Sequence, residues 1–136
     1  MTEIELETFL NLWNAVNKLY GKYCSGNHFH FPEPLQKNIL MSLYDPSLKL
    51  ASSSSSYDFD KNVEMKSSTK QGGGCTPFSE NQNNCSRIIY LEITDHFDVY
   101  EIDSADVNSI NALVRNGNTN ISLKNYLGKA KKKRIV

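Results

Sequence analysis

The 136-residue chain is 39% hydrophobic and sets fifteen basic residues against fifteen acidic ones. No apolar run nears the ~20 residues a bilayer span needs, so insertion into a membrane is not expected. Zero net charge removes any argument that charge alone selects a partner.

Thr2 and Glu5 stand at capping-box spacing, and Leu6, Phe9, Leu10, Trp13, Val16, Leu19 and Tyr20 recur at three- and four-residue steps up to Gly21. The pattern predicts an N-terminal helix that buries this stripe as core. Cys24, His28 and His30 are zinc-type ligands, but there are only three and their spacing matches no structural zinc pattern. No metal and no cofactor is expected there.

Pro32 and Pro34 stop any helix from running through. Leu35, Ile39 and Leu43 then suit a helix, whereas Ile39, Met41 and Leu43 suit one face of a strand. The shortness of Asn38 to Tyr44 and the Asp45-Pro46 turn after it favour the strand.

From 47 to 86 the chain turns polar, with five serines from Ser52, the glycines Gly72 to Gly74 and a run of amides at Asn81 to Asn84. Its scattered apolar residues predict a long disordered loop. Gly72 to Gly74 lacks the Lys-Ser/Thr of a phosphate-binding loop.

Ile89, Leu91 and Ile93, followed by Phe97 and Val99 across a turn at Asp95-His96, read as a β-hairpin. Asp103 or Ser104 then caps a helix carrying Val107, Ile110 and Val114 at helical spacing, which can lie across the hairpin's apolar face. Asn116-Gly117-Asn118 ends it, and Ile121, Leu123, Tyr126 and Leu127 allow a further helical turn.

Charge is unevenly placed. Ile88 to Asp106 holds six acids and no base, and Lys124 to Val136 holds six bases and no acid. The expected organisation is a single domain over 1–128, with the loop at 47–86, and a basic tail at 129–136. That tail reads as a solvated mobile end, a phosphate contact or a nuclear import signal. Cys24, Cys75 and Cys85 are odd in number, which fits free thiols, and the absence of a signal-peptide pattern adds to an intracellular expectation.

The stretches IELETFLNLWNAVNKLYGK, NILMSLYDPS, RIIYLEITDHFDVYEIDSADVN and KAKKKR, in that order, resemble the fourteen-kilodalton Alu-domain subunits of the signal recognition particle. Order and spacing carry the likeness. It implies an α+β fold of α-β-β-β-α type, a three-stranded antiparallel sheet with two helices packed on one face. It also implies a non-catalytic RNA-binding subunit that holds the Alu region of the particle's RNA and contributes to elongation arrest during targeting to the endoplasmic reticulum. Its partners would be a related nine-kilodalton subunit or a second copy, and the ribosome through the particle. It would reside in the cytoplasm, with nuclear or nucleolar assembly left open.

The RNA contacts so implied are Lys37, Arg87, Lys124, Lys129, Lys131, Lys132, Lys133 and Arg134, with Lys61, Lys66 and Lys70 in the loop. Three features depart from the family: the hairpin turn is acidic where the family's is rich in lysine, the strand that should carry basic residues offers Ser42 and Tyr44 instead, and Gly117 interrupts the last helix. The alternative is a small nuclear protein-interaction module whose basic end is an import signal. No enzyme is expected, because His28, His30 and His96 have no nucleophile or carboxylate partner that the sequence identifies.

Overall fold

The computed structural model describes residues 1–24, 29–69 and 76–136. His28, Lys70, Gly72 to Gly74 and Cys75, named above, lie outside them.

Helix α1 spans Glu3–Tyr23 and starts as its sequence predicts. Thr2 Oγ1 accepts from the Glu5 N–H and Glu5 Oε1 accepts from the Thr2 N–H, a complete capping box. Only part of the expected stripe is core. Leu6, Leu10 and Trp13 are buried, whereas Val16, Leu19 and Tyr20 are exposed.

Helix α2 covers Glu33–Ile39 and runs on as a π turn over Leu40–Tyr44, closed by the Asp45 N–H donating to the Leu40 carbonyl at 2.8 Å. The strand expected at Asn38 to Tyr44 is therefore a helix. Pro34 sits in the first helical turn, where its missing N–H costs nothing, and Gln36, Ile39 and Leu40 bury at helical spacing. Those two effects outweigh the short alternation that favoured a strand.

Among the described residues six strands follow in chain order: β1 Val63–Thr69, β2 Thr76–Pro77, β3 Arg87–Ile93, β4 Phe97–Glu101, β5 Asn120–Ile121 and β6 Lys131–Arg134. Helix α3, Ser104–Arg115, lies between β4 and β5, and a short 3-10 turn at Leu123–Tyr126 follows β5. The main sheet has the order β1-β3-β4-β6, with β1 parallel to β3 and the other two pairings antiparallel. Strands β2 and β5 form a separate two-residue ladder.

The protein is thus α+β, but the sheet is mixed and four-stranded rather than three-stranded and antiparallel. The hairpin β3-β4 is as expected. Its neighbour β1 comes from within the stretch read as a disordered loop, which is ordered wherever it is described: the alternation Val63, Glu64, Met65, Lys66 is a strand pattern that the surrounding serines concealed. At the other edge, Lys131–Arg134 is a strand and not a mobile tail. Arg134 Nε lies 2.8 Å from the buried Asp98 carboxylate, and the ladder continues through Ile135, whose N–H reaches the Phe97 carbonyl at 2.9 Å.

Helices cover both faces of this sheet, not one. Leu6, Leu10 and Trp13 of α1, with Ile39 and Leu40, pack on Ile89, Leu91, Ile93 and Val99. Val107, Ile110 and Val114 of α3 pack on Ile88 and Tyr90. Continuous burial of Ile88 through Leu91 follows, since both sets of alternating side chains need cover. The face expected to be uncovered is thus packed under α3 at Ile88 and Tyr90, while its β4–β6 side carries the part-exposed Lys132 and Arg134.

Asp103 caps α3 by accepting from the Ala105 N–H, and Gly117 takes φ +87 just past its end. Inside, Asn111 clamps the approach to β3: its Oδ1 accepts from the Cys85 N–H at 2.8 Å and its Nδ2 donates to the Cys85 carbonyl at 2.9 Å. Cys24 and Cys85 are free thiols, and burial pushes the Cys85 pKa up to about 12, which removes it as a nucleophile.

Candidate cation and phosphate site at the edge of β1

Strand β1 buries Val63 and Met65 against the α1-α2 core, so Glu64 and Lys66 share the opposite set of positions along the strand. Ahead of β1 the chain reverses sharply. Lys61 and Asn62 adopt φ +64 and +59, and the Phe59 N–H reaches the Val63 carbonyl at 3.1 Å. Two consecutive left-handed residues make the tight turn that brings Asp58 alongside β1. There Asp58 Oδ2 accepts from the Met65 N–H at 2.9 Å, fixing its carboxylate beside Glu64.

Lys37 of α2 closes one side of Asp58, with Nζ 3.1 Å from Oδ1 and 3.3 Å from Glu33. Lys66 Nζ lies 3.2 Å from Glu64 Oε2, donates to Gln82 Oε1 at 3.2 Å and sits 4.7 Å over the Phe78 ring. The Glu64 side chain is only 1% exposed. No N–H donor reaches its Oε1, its carboxyl is hydrogen-bonded instead to that of Asp58, and the buried Oε1 of Gln36 is unpaired. Both residues, with Asp58, Lys66 and His30, line one cavity of about 560 Å³.

The electrostatics follow from this packing. Burial, and then the hydrogen-bonded carboxyl of Asp58, push the Glu64 pKa up to about 8. Burial also works against the Asp58 charge. The hydrogen bond from the Glu64 carboxyl, the Met65 N–H and Lys37 outweigh it and hold the Asp58 pKa below its usual value. Near neutral pH the pair therefore shares one proton, and that proton occupies the position a cation could take.

Two carboxylates in contact and a buried amide oxygen in the same cavity suit a hard divalent ion such as Mg²⁺. Such an ion binds through one or two carboxylates and completes its shell with water and substrate phosphate. Among the described residues no group of three or more His, Cys, Asp or Glu side chains is placed to hold a metal ion, so the pair would bind one through two carboxylates alone. An open two-carboxylate site is the arrangement that leaves coordination positions for a substrate.

The basic residues expected to contact RNA are placed differently. Lys37 belongs to this site, but as the partner of two acids. Arg87 Nη1 and Nη2 bind Asp45 at 2.8 Å and Glu101 at 2.7 Å, and Arg134 and Lys132 both face Asp98. Lys133 Nζ reaches the Leu43 carbonyl at 3.4 Å, and Lys124, Lys129 and Lys131 are exposed. Lys61 lies in the turn that positions Asp58, and Lys66 stands in the cavity wall.

Sequence reasoning missed Asp58 and Glu64. Their signal was Asp58, five residues, then Glu64-Met65-Lys66: two acids and a base around a short alternating run. Comparison with family models, curated proteins and solved structures gives no match to this chain.

Proposed function

We propose that this protein is a divalent-cation-dependent phosphodiesterase acting on nucleic acid, with Asp58 and Glu64 holding the ion and Lys66 as the catalytic cation. The observation that carries the reading is the carboxyl pair itself: Glu64, its side chain 1% exposed, is held against the carboxyl of Asp58. A bound divalent cation would polarise a phosphoryl oxygen and lower the pKa of a water at the site. Lys66, held by Glu64 and Gln82, can orient the attacking water and offset charge that develops on the phosphate.

A polymeric substrate is favoured by the surroundings. A second cavity, about 650 Å³, lies on the other side of Asp58, lined by Lys37, Tyr57 and the hydroxyls of Ser52, Ser53, Ser55 and Ser56. Both cavities include Glu33 and Asp58, so a chain passing through them would present a central linkage to the carboxylates. Hydroxyls and ammonium groups are common phosphate and sugar contacts.

The reading differs from the non-catalytic Alu-subunit role, whose three-stranded antiparallel sheet is a mixed four-stranded sheet here. The test is hydrolysis of plasmid DNA and of a structured RNA with MgCl₂ and with EDTA. Expected is cleavage that needs the ion and is lost in Glu64→Gln and Asp58→Asn. Cleavage that persists in EDTA or in both variants, or none of either substrate, would overturn it.

A further inference from the structure

Helix α1 carries a second apolar stripe that the fold leaves unused. Leu12, Val16, Leu19 and Tyr23 are spaced by four, three and four residues, the spacing of a coiled-coil seam. The helix turns its Leu6, Leu10, Trp13 and Asn17 side inward, which places the seam outward. Leu12 is 62% exposed, Leu19 59% and Tyr23 74%, and Ile4, Val16 and Tyr20 are exposed beside them. These large apolar side chains on one helix face mark an interaction surface rather than scattered exposure.

The charges on α1 select the occupant. Glu3, Glu5 and Glu7 crowd its start, and its only bases, Lys18 and Lys22, lie near its end. A second α1 laid parallel would set like charges side by side. Laid antiparallel about a two-fold axis between Leu12 and Val16, it sets Leu12 opposite Val16, Ile4 near Tyr23 and Glu5 near Lys22. A chain with no net charge also carries little self-repulsion to oppose pairing. We propose that the protein forms a homodimer in which α1 packs antiparallel on α1 of a second copy, through the seam Leu12, Val16, Leu19 and Tyr23. This surface is separate from the carboxylate site, and the inference does not depend on the proposed hydrolysis.

Sedimentation velocity over a concentration series, with carbodiimide cross-linking read by mass spectrometry, tests it. Glu5 and Lys22 are about 25 Å apart along one helix, so a Glu5–Lys22 amide must join two chains. Expected is a micromolar monomer–dimer equilibrium, that cross-link, and at least a tenfold weaker association for Leu12→Glu and Leu19→Glu. Both positions face solvent in the monomer, so circular dichroism and the thermal midpoint of the dilute protein should stay as in the parent. A monomer at every concentration overturns the inference, whether the seam is then bare or kept for another chain. So does a dimer that ignores both substitutions. Cross-links within the N-terminal or the C-terminal halves, in place of Glu5–Lys22, refute the antiparallel arrangement.

Discussion

Replacing Glu64 by Gln is the sharpest perturbation of the site, because the amide keeps the shape and cannot titrate. In the folded protein the Glu64 carboxyl holds its proton up to about pH 8, against an ordinary value of 4.5. The folded state therefore binds more protons than the unfolded chain between those limits. That contribution to stability is complete below pH 4.5 and is lost as pH rises through about 8, at a slope on the order of 1 kcal/mol per pH unit, a few kcal/mol across the window. Asp58, held below its ordinary value, contributes in the opposite sense: its share is present above that value and fades only in acid, so it does not mask the effect.

Mg²⁺ should replace the proton. Its stabilisation is then small near ~pH 5, where a proton must be displaced, and reaches about 3 kcal/mol near pH 8 at a hundredfold excess over Kd. Urea unfolding midpoints over this pH range, with and without MgCl₂, measure both effects. Glu64→Gln should flatten the pH profile and lose most of the Mg²⁺ response. A variant that keeps the parent's slope, or that Mg²⁺ stabilises equally, would refute the shared-proton account.

Lys66→Ala should lower cleavage by about 100-fold or more while retaining the Mg²⁺ shift in unfolding midpoint, since the ammonium is not an ion ligand; loss of the shift instead would make Lys66 a structural residue. Deleting residues 131–136 removes β6 and the buried Ile135 and should cost about 3 kcal/mol in denaturant unfolding, whereas a mobile tail would cost nothing. Asn111→Ala strands both the N–H and the carbonyl of Cys85 in the interior, for a loss of about 2 to 4 kcal/mol by the same measurement.

The sequence showed plainly those elements whose signals are local. Thr2 with Glu5, Asp103 before Ala105, and Asn116-Gly117 fix helix ends through hydrogen bonds within a few residues, and the β3-β4 hairpin repeats its alternation across a short turn. Partners distant in the chain stayed hidden. Strand β1 is defined by parallel pairing with β3 some twenty residues on, and β6 by Asp98 and the free edge of β4. Neither Ser-rich composition nor a lysine run states such pairings. The α1 stripe was misjudged for a related reason: its width describes two faces, and only the sheet decides which one is core.

The carboxylate site was invisible because the features that define it oppose local stability. A buried carboxyl beside another, two left-handed non-glycine residues at Lys61 and Asn62, an unpaired Gln36 oxygen and a π turn closing α2 are each unfavourable or uncommon. Three of the four bear on the same cavity: Asp58 and Glu64 line it, Gln36 lines it, and the Lys61-Asn62 turn delivers Asp58 to it. Packing alone gives no reason for that coincidence, since an apolar residue at 64 would continue the buried run of Val63 and Met65. A divalent ion supplies one. It would neutralise the carboxyl pair and give the unpaired Gln36 oxygen a partner, while the turn delivers a second carboxylate beside the one that β1 provides.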